Sequence, residues 1–270
     1  MGIFEDLKAL GFENVESLPV YEKKELAKDL PQKRETVNEA SSFDPDGYIA
    51  KRKYECPVCG MNFESWFIRS AKVRLIGSDS DLRPHYEPFD PLYYDVTFCP
   101  ECGYAAMSST FNTLTDNQVG LIRDAISEKY IKKIYPQMYT LADAIERYKM
   151  ALFCSIVKKS RSSERAMLCL KLSWLERENH NSDAEREFAE NALTGFLMAY
   201  QNESPPIAGL DEPTLIYLLG ELSRRIGKLT DAMNFISKVL LNRGISPRLR
   251  ERAEDVKELI REAKKEKGDA

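Results

Sequence analysis

Two short segments carry the chemistry of this chain: Glu55-Cys56-Pro57-Val58-Cys59-Gly60 and Phe98-Cys99-Pro100-Glu101-Cys102-Gly103. Each is a Cys-Pro-x-Cys-Gly turn. The proline stiffens the approach and the glycine lets the chain double back, so that two thiolates stand together and backbone amides point at sulfur. Four soft sulfur donors in two such knuckles suit one tetrahedral Zn²⁺ far better than a hard cation. Cys56, Cys59, Cys99 and Cys102 are therefore the expected ligands of a single structural zinc ion. With four protein ligands no coordination position is left for the water that a zinc hydrolase activates.

Iron is the rival metal. The knuckles also resemble those of rubredoxin, in which the same sulfur tetrahedron holds an electron-carrying iron. The separation between Gly60 and Cys99 is long for that small fold, and the intervening segment holds six acidic residues. A second, harder metal site can be drawn from Asp79, Asp81, His85 and Glu87, against the plainer reading of a solvated loop bounded by prolines. His180 follows Asn179 at an expected helix end, where asparagine favours the left-handed turn. Neither histidine neighbours a nucleophile in sequence, so Ser/His or Cys/His catalysis has no support and the protein reads as a non-enzyme. Cys154 and Cys169 sit among Phe153, Ile156, Leu168 and Leu170 and read as buried, inert thiols. Tyr86, Phe89, Tyr93 and Tyr94 could stack on single-stranded nucleic acid, but with no basic residues among them they fit packing of the head against helices better.

The elements that must position the knuckles separate by composition. Residues 1–46 are polar, with an amphipathic start (Ile3, Phe4, Leu7, Leu10) closed by Gly11 and a linker-like run from Ser41 to Gly47; this segment is expected to be partly ordered or docked. Residues 47–115 form the expected metal-binding head, with β-prone pieces at Tyr48–Tyr54, Phe63–Leu75 and Tyr93–Phe98 and the knuckles at strand ends. Residues 116–270 read as helical, beginning with the capping box Thr115-Asp116-Asn117-Gln118 and a first helix over about 116–134. Apolar stripes such as Leu141, Ile145, Tyr148, Leu152 and Ile156 mark core faces. Two stripes on the helix over 163–178 place it between neighbours. Breaks near Ser160-Arg161-Ser162, Asn179-His180-Asn181, Ser204-Pro205-Pro206, Gly227 and Gly244–Pro247 give six further helices. The fold class expected is α+β, mostly α.

One helix pair matches the tetratricopeptide repeat: Leu219-Gly220, Gly227 and Ala232 stand where that repeat brings antiparallel helices close, followed by Ile236 and Val239. Ala144/Tyr148 and Ala184/Phe188 echo its small-then-aromatic pair. The departures are Ser223 at an aromatic position, Lys171 in place of a leucine, and alanines 40 and 48 residues apart instead of about 34. A degenerate tetratricopeptide-like array and a plain helical bundle both remain open on this evidence.

Composition sets the outer limits. A chain of 270 residues that is 43% hydrophobic and 30% charged can build one large or two modest cores. Six cysteines, four in metal spacing, do not resemble a secreted disulfide framework, and no signal-like start or membrane-length apolar run is present, so a cytoplasmic protein is expected. The net charge is -4, and from Lys51 to Glu101 seven basic residues face eight acidic ones. A nucleic-acid reader would normally show a basic stripe.

The knuckles, the stretch Asp95-Val96-Thr97-Phe98-Cys99-Pro100-Glu101-Cys102-Gly103-Tyr104-Ala105, the segment Ser173-Trp174-Leu175-Glu176-Arg177 and the helical tail together resemble the bacterial domain of unknown function 2225 family, over roughly residues 48–260. That resemblance implies a zinc-ribbon-like head on tetratricopeptide-like helices in a Gram-positive-type bacterium, with the four cysteines as ligands, and leaves activity open. The expected function is non-catalytic: a Cys₄ zinc head, structural in role, fused to helices whose surface binds a protein partner. The alternatives are a nucleic-acid-associated factor that reads through the ribbon and a rubredoxin-like iron carrier. Oligomeric state is not legible.

Overall fold

The computed structural model describes residues 4–12, 15, 18–21 and 47–268. Ile3 and residues 41–46 of the linker-like run lie outside the described residues. The head is made of three separate antiparallel hairpins. Strand β1 (Ile49–Glu55) pairs with β2 (Asn62–Ile68), from Ile49 opposite Ile68 to Glu55 opposite Asn62. Strand β3 (Arg74–Ser78) pairs with β4 (Pro84–Glu87) across an irregularity between Leu75 and Gly77. Strand β5 (Val96–Phe98) pairs with β6 (Ala105–Met107). The β-prone run Phe63–Leu75 is thus not one strand: a 3₁₀ turn at Ser70–Lys72 divides it. Pro84, expected only to break the chain, opens β4, the one end of a strand where a missing N–H costs least.

Helices follow from the cap chemistry. Thr115 and Gln118 form the expected capping box at the start of α1 (Asp116–Ile122). This first helix is shorter than its sequence suggests, passing through a π turn at Arg123–Ser127. Beyond it the chain is drawn out along the head, with Tyr130 seated on Gly103 and the Ile131 amide donating to the Leu10 carbonyl at 2.9 Å. Six helices then appear at the expected breaks: α2 (Leu141–Val157), α3 (Ser162–Glu178), α4 (Ser182–Asn202), α5 (Glu212–Arg225), α6 (Leu229–Leu241) and α7 (Pro247–Gly268). Thr140, Asn181 and Asp211 cap α2, α4 and α5 through their side chains. The left-handed residue after α3 is His180, at φ +54°, while Asn179 closes the helix with φ −75°.

Packing joins the parts. One hydrophobic cluster runs from Phe4, Leu7 and Leu10 through Val96, Phe98 and Tyr104 into the helices as far as Ile226. Helix α2 lies at its centre, buried on nearly every side from Ala144 to Ser155, because the β5–β6 hairpin and the N-terminal turn cover the face that α3 leaves open. Phe153 of α2 meets Phe4 and Phe12. Tyr21 lies across α3 and α4: its hydroxyl donates to the Ser162 carbonyl, and a Cβ added at Gly195 would stand 1.9 Å from its oxygen. Only glycine leaves that seat open. A second cluster joins α5, α6 and α7, and Gly220 of α5 lets Ile236 of α6 approach so closely that a Cβ would meet it at 2.7 Å.

Charge reinforces the join between head and helices. Arg177 on α3 holds Asp79 at 2.9 Å, Glu185 of α4 at 2.7 Å and the fully buried Asp81. Arg225 on α5 reaches Asp81 at 3.4 Å and Glu221 at 2.8 Å. Glu221 also accepts from Ser80 at 2.6 Å, and Arg252 of α7 donates to the Asp79 carbonyl at 3.0 Å. The turn between β3 and β4 is therefore gripped by three helices, α3, α5 and α7.

Candidate metal centre

The two knuckles are the turns of two hairpins, one between β1 and β2 and the other between β5 and β6, and their backbones repeat each other. In the first, the Gly60 amide donates to the Cys56 carbonyl at 2.9 Å and the Cys56 amide to the Met61 carbonyl at 2.9 Å. In the second, Gly103 donates to Cys99 at 3.0 Å and Cys99 to Tyr104 at 2.8 Å. Gly60 and Gly103 take φ of +72° and +75°, which the reversal demands and L side chains resist. Each hairpin thus carries its pair of cysteines on a turn fixed by hydrogen bonds.

The turns face each other. All four sulfurs lie within 4.8 Å of one another, with Cys56 and Cys102 Sγ at 3.5 Å and Cys59 and Cys99 Sγ at 3.8 Å. A tetrahedron with metal–sulfur bonds of about 2.3 Å has edges of about 3.8 Å. A disulfide would need about 2.05 Å, and all six cysteines are free. Spacing and donor type both fit one soft cation. Cys56, Cys99 and Cys102 are buried and Cys59 is exposed, so the centre sits at the edge of the core with one ligand toward solvent.

The electrostatics point the same way. Hydrogen bonds from Cys102 and Cys56 hold Cys99 far below the usual thiol range. Cys102 is pushed far above it by its hydrogen bonds to Cys56 and Cys99 and by burial. For Cys56, a hydrogen bond from Cys102 favours the thiolate, but donation to Cys99 and burial outweigh it and raise the thiol to about 12. Four crowded sulfurs cannot all ionise unless a cation stands between them.

Support comes from outside the hairpins. Arg123 donates to the Val58 carbonyl at 3.2 Å, bracing the first knuckle from the end of α1. The second is braced by Tyr130, whose ring would lie 2.6 Å from a Cβ at Gly103, whereas nothing stands within 4 Å of one at Gly60. Gly60→Ala is expected to cost about 1–2 kcal/mol from left-handed backbone strain. Gly103→Ala adds overpacking of about 1–3 kcal/mol. Urea unfolding of the two variants at saturating zinc tests this; equal losses would remove Tyr130 as a support.

The remaining sequence candidates are placed elsewhere. Asp79, Asp81, His85 and Glu87 do not converge on a cation: Arg177 occupies the space between Asp79 and Asp81, His85 Nε2 lies 2.6 Å from Asp79 Oδ1, and the exposed Glu87 faces Arg74 at 3.7 Å. The solvated-loop reading is equally displaced, since Asp81 and Arg83 are buried. Cys154 and Cys169 are fully buried, and burial pushes Cys154 up to about 12. Cys154 lies directly behind the second knuckle, accepting from the Ala105 amide at 3.4 Å. Tyr93 and Tyr94 do pack the head on the helical side, through Glu178 and Tyr139.

Residues 49–266 match the family described as an uncharacterized protein family conserved in bacteria, domain of unknown function 2225. The chain belongs to that family. The match takes in both knuckles of this DUF2225 member and all seven helices except the last two residues of α7. A protein of Borreliella burgdorferi, described as uncharacterized, is 31% identical over 120 residues, which is 39% of this chain and 43% of the relative. The chain thus spans less than half the length of that relative. No solved structure matches this DUF2225 chain. Among its described residues no helix is long and apolar enough to cross a membrane.

Proposed function

We propose that this protein is a non-catalytic scaffold in which Cys56, Cys59, Cys99 and Cys102 hold one structural zinc ion and the helices behind it engage a protein partner in the cytoplasm. The observation that carries the zinc reading is the meeting of four sulfurs within 4.8 Å at two hairpin turns built alike. A metal bound there ties β1–β2 to β5–β6, two hairpins not hydrogen-bonded to each other, and so supplies the head with the staple its small interior lacks. Four protein sulfurs fill a tetrahedral ion, which makes its role cohesion and not hydrolysis.

The partner reading rests on the helical side. The close Gly220–Ile236 contact is the kind of approach that lets helix pairs stack into a tetratricopeptide-like surface. Leu241 on α6 and Leu259 on α7 lie exposed at its far end. Elemental analysis and visible absorbance of the purified full chain are expected to give one zinc per chain and a colourless protein; a red protein with iron would replace this reading by electron transfer. Capture from a bacterial lysate on the full chain is expected to retain a protein that a Leu241→Glu/Leu259→Glu variant loses. Salt-sensitive retention of mixed DNA in its place would favour a nucleic-acid role.

A further inference from the structure

Between the β3–β4 hairpin and α3 lies a cleft of about 760 Å³ that does not touch the metal centre. Its position follows from the architecture: the charged turn between β3 and β4 is held by the helices, and the segment after β4 returns to α3 where the Tyr93 hydroxyl donates to Glu178, so the cleft lies between these two contacts. Tyr86, Phe89, Tyr93 and Tyr94 line it from the head, and Tyr139 from the extended segment before α2. Aromatic rings are thus gathered around one space from three elements.

The charged groups in the cleft do not balance. Asp79 is met by Arg177 and His85, and Glu87 faces Arg74 outside the cleft, but Asp90 and Glu178 share the single Arg83 guanidinium, which leaves one negative charge in excess there. Arg177 is further committed to Asp81 and Glu185 outside the cleft. Arg83, only 5% exposed, must serve both Asp90 at 3.6 Å and Glu178, while also donating to the Trp174 carbonyl at 2.8 Å. One buried cation therefore stands between two carboxylates. In keeping with this, burial drives Asp90 above the usual carboxylate range despite its hydrogen bond from the Leu92 amide and the nearby guanidinium.

Negative charge in excess, in a cleft lined by several tyrosines, selects one ligand chemistry. An ammonium is attracted by both carboxylate and ring quadrupole, and an apolar body attached to it is covered by the same rings, by Pro88 and by Met138. A phosphate or carboxylate ligand would meet like charge. We propose that this cleft is a binding site for an organic cation, an alkyl- or arylammonium group carried on an apolar body. Its cationic centre sits with Asp90 and Glu178, and its body against Tyr86, Phe89 and Tyr93. None of the four cysteines lines the cleft, so the site does not depend on which metal they hold.

The test is calorimetric titration of the metal-loaded full chain with choline and with its uncharged carbon isostere 3,3-dimethylbutan-1-ol at matched ionic strength. Choline is expected to bind saturably and at least about tenfold more tightly than the isostere. Asp90→Asn keeps the acceptor for the Leu92 amide and is expected to weaken choline binding by about tenfold at unchanged metal content and circular dichroism. Should that variant misfold, Tyr86→Leu removes a ring instead and is expected to lower affinity several-fold. N-acetyl-lysine methylamide distinguishes the source of the cation: tighter binding than choline assigns the site to a lysine side chain of a partner, weaker binding to a free amine. Equal affinity for choline and its isostere, or no saturable binding of any of the three up to about 10 mM, would overturn the proposal.

Discussion

Replacing Cys99 with serine is expected to cost the whole chain its cooperative fold, not the head alone. Structural zinc at a thiolate site is worth on the order of 10–16 kcal/mol, as much as or more than the roughly 5–15 kcal/mol that separates a folded protein from its unfolded chain. Cys99 is fully buried, and the strands on either side of its turn, β5 and β6, lie against α2 at the centre of the main cluster. Disorder in that hairpin would therefore open the core that Phe4, Tyr104 and Phe196 share. Cys59→Ser makes the informative contrast. It removes the exposed ligand, leaves the second knuckle untouched and is expected to weaken zinc retention with a smaller loss of melting temperature. Zinc content and near-ultraviolet circular dichroism through a thermal ramp check both. A Cys99→Ser protein that melts within a few degrees of the parent would show that packing alone holds the head.

Arg177→Ala is expected to be the most damaging change away from the sulfurs, at about 3–5 kcal/mol, the usual consequence of stranding one half of a buried ion pair. Its guanidinium faces Asp79, Asp81 and Glu185, and Asp81 has no solvent exposure at all. Arg225 at 3.4 Å is left as the nearest cation to Asp81 and is already engaged by Glu221. Denaturant unfolding measures the loss. Adding Asp81→Asn to the alanine variant is expected to restore part of it, because the orphaned charge goes with the second substitution. Strictly additive losses would mean that the two residues do not act as a pair.

Much of this architecture can be read from local signals, and its failures share a cause. The cysteine spacing locates both turns, and Ser160–Ser162, Asn179–Asn181, Pro205–Pro206, Gly227 and Gly244–Pro247 mark five helix boundaries because glycine, proline and capping side chains act within a few residues of where they stand. Ile68 to Val73 holds no glycine or proline, and no side chain caps the 3₁₀ turn that divides β2 from β3, so the turn leaves little trace in the sequence. Asp79 to Arg83 looks like a solvated loop because its partners, Arg177, Arg225 and Arg252, lie about a hundred residues or more further along. The π turn after α1 ends at Ser127 and Tyr130 then lies over Gly103, a pairing between distant positions that no periodicity records. Helix α2 shows one apolar stripe in sequence and yet is covered almost all round, since Arg147 on its other face finds the buried Val96 carbonyl and Lys149 finds the buried Glu176 and the exposed Asp6 at the rim.

The docked N-terminal residues carry a practical warning. The family match opens at residue 49, yet Phe4, Leu7, Leu10, Phe12, Val20 and Tyr21 are all buried upstream of it. A truncation that keeps only the matched region would strip these side chains from α2, α3 and α4, leaving an open apolar trench with the Gly195 notch at one end. Such a fragment is a candidate for clumping and chaperone capture, and any partner it pulls down would report on that wound and not on the native surface.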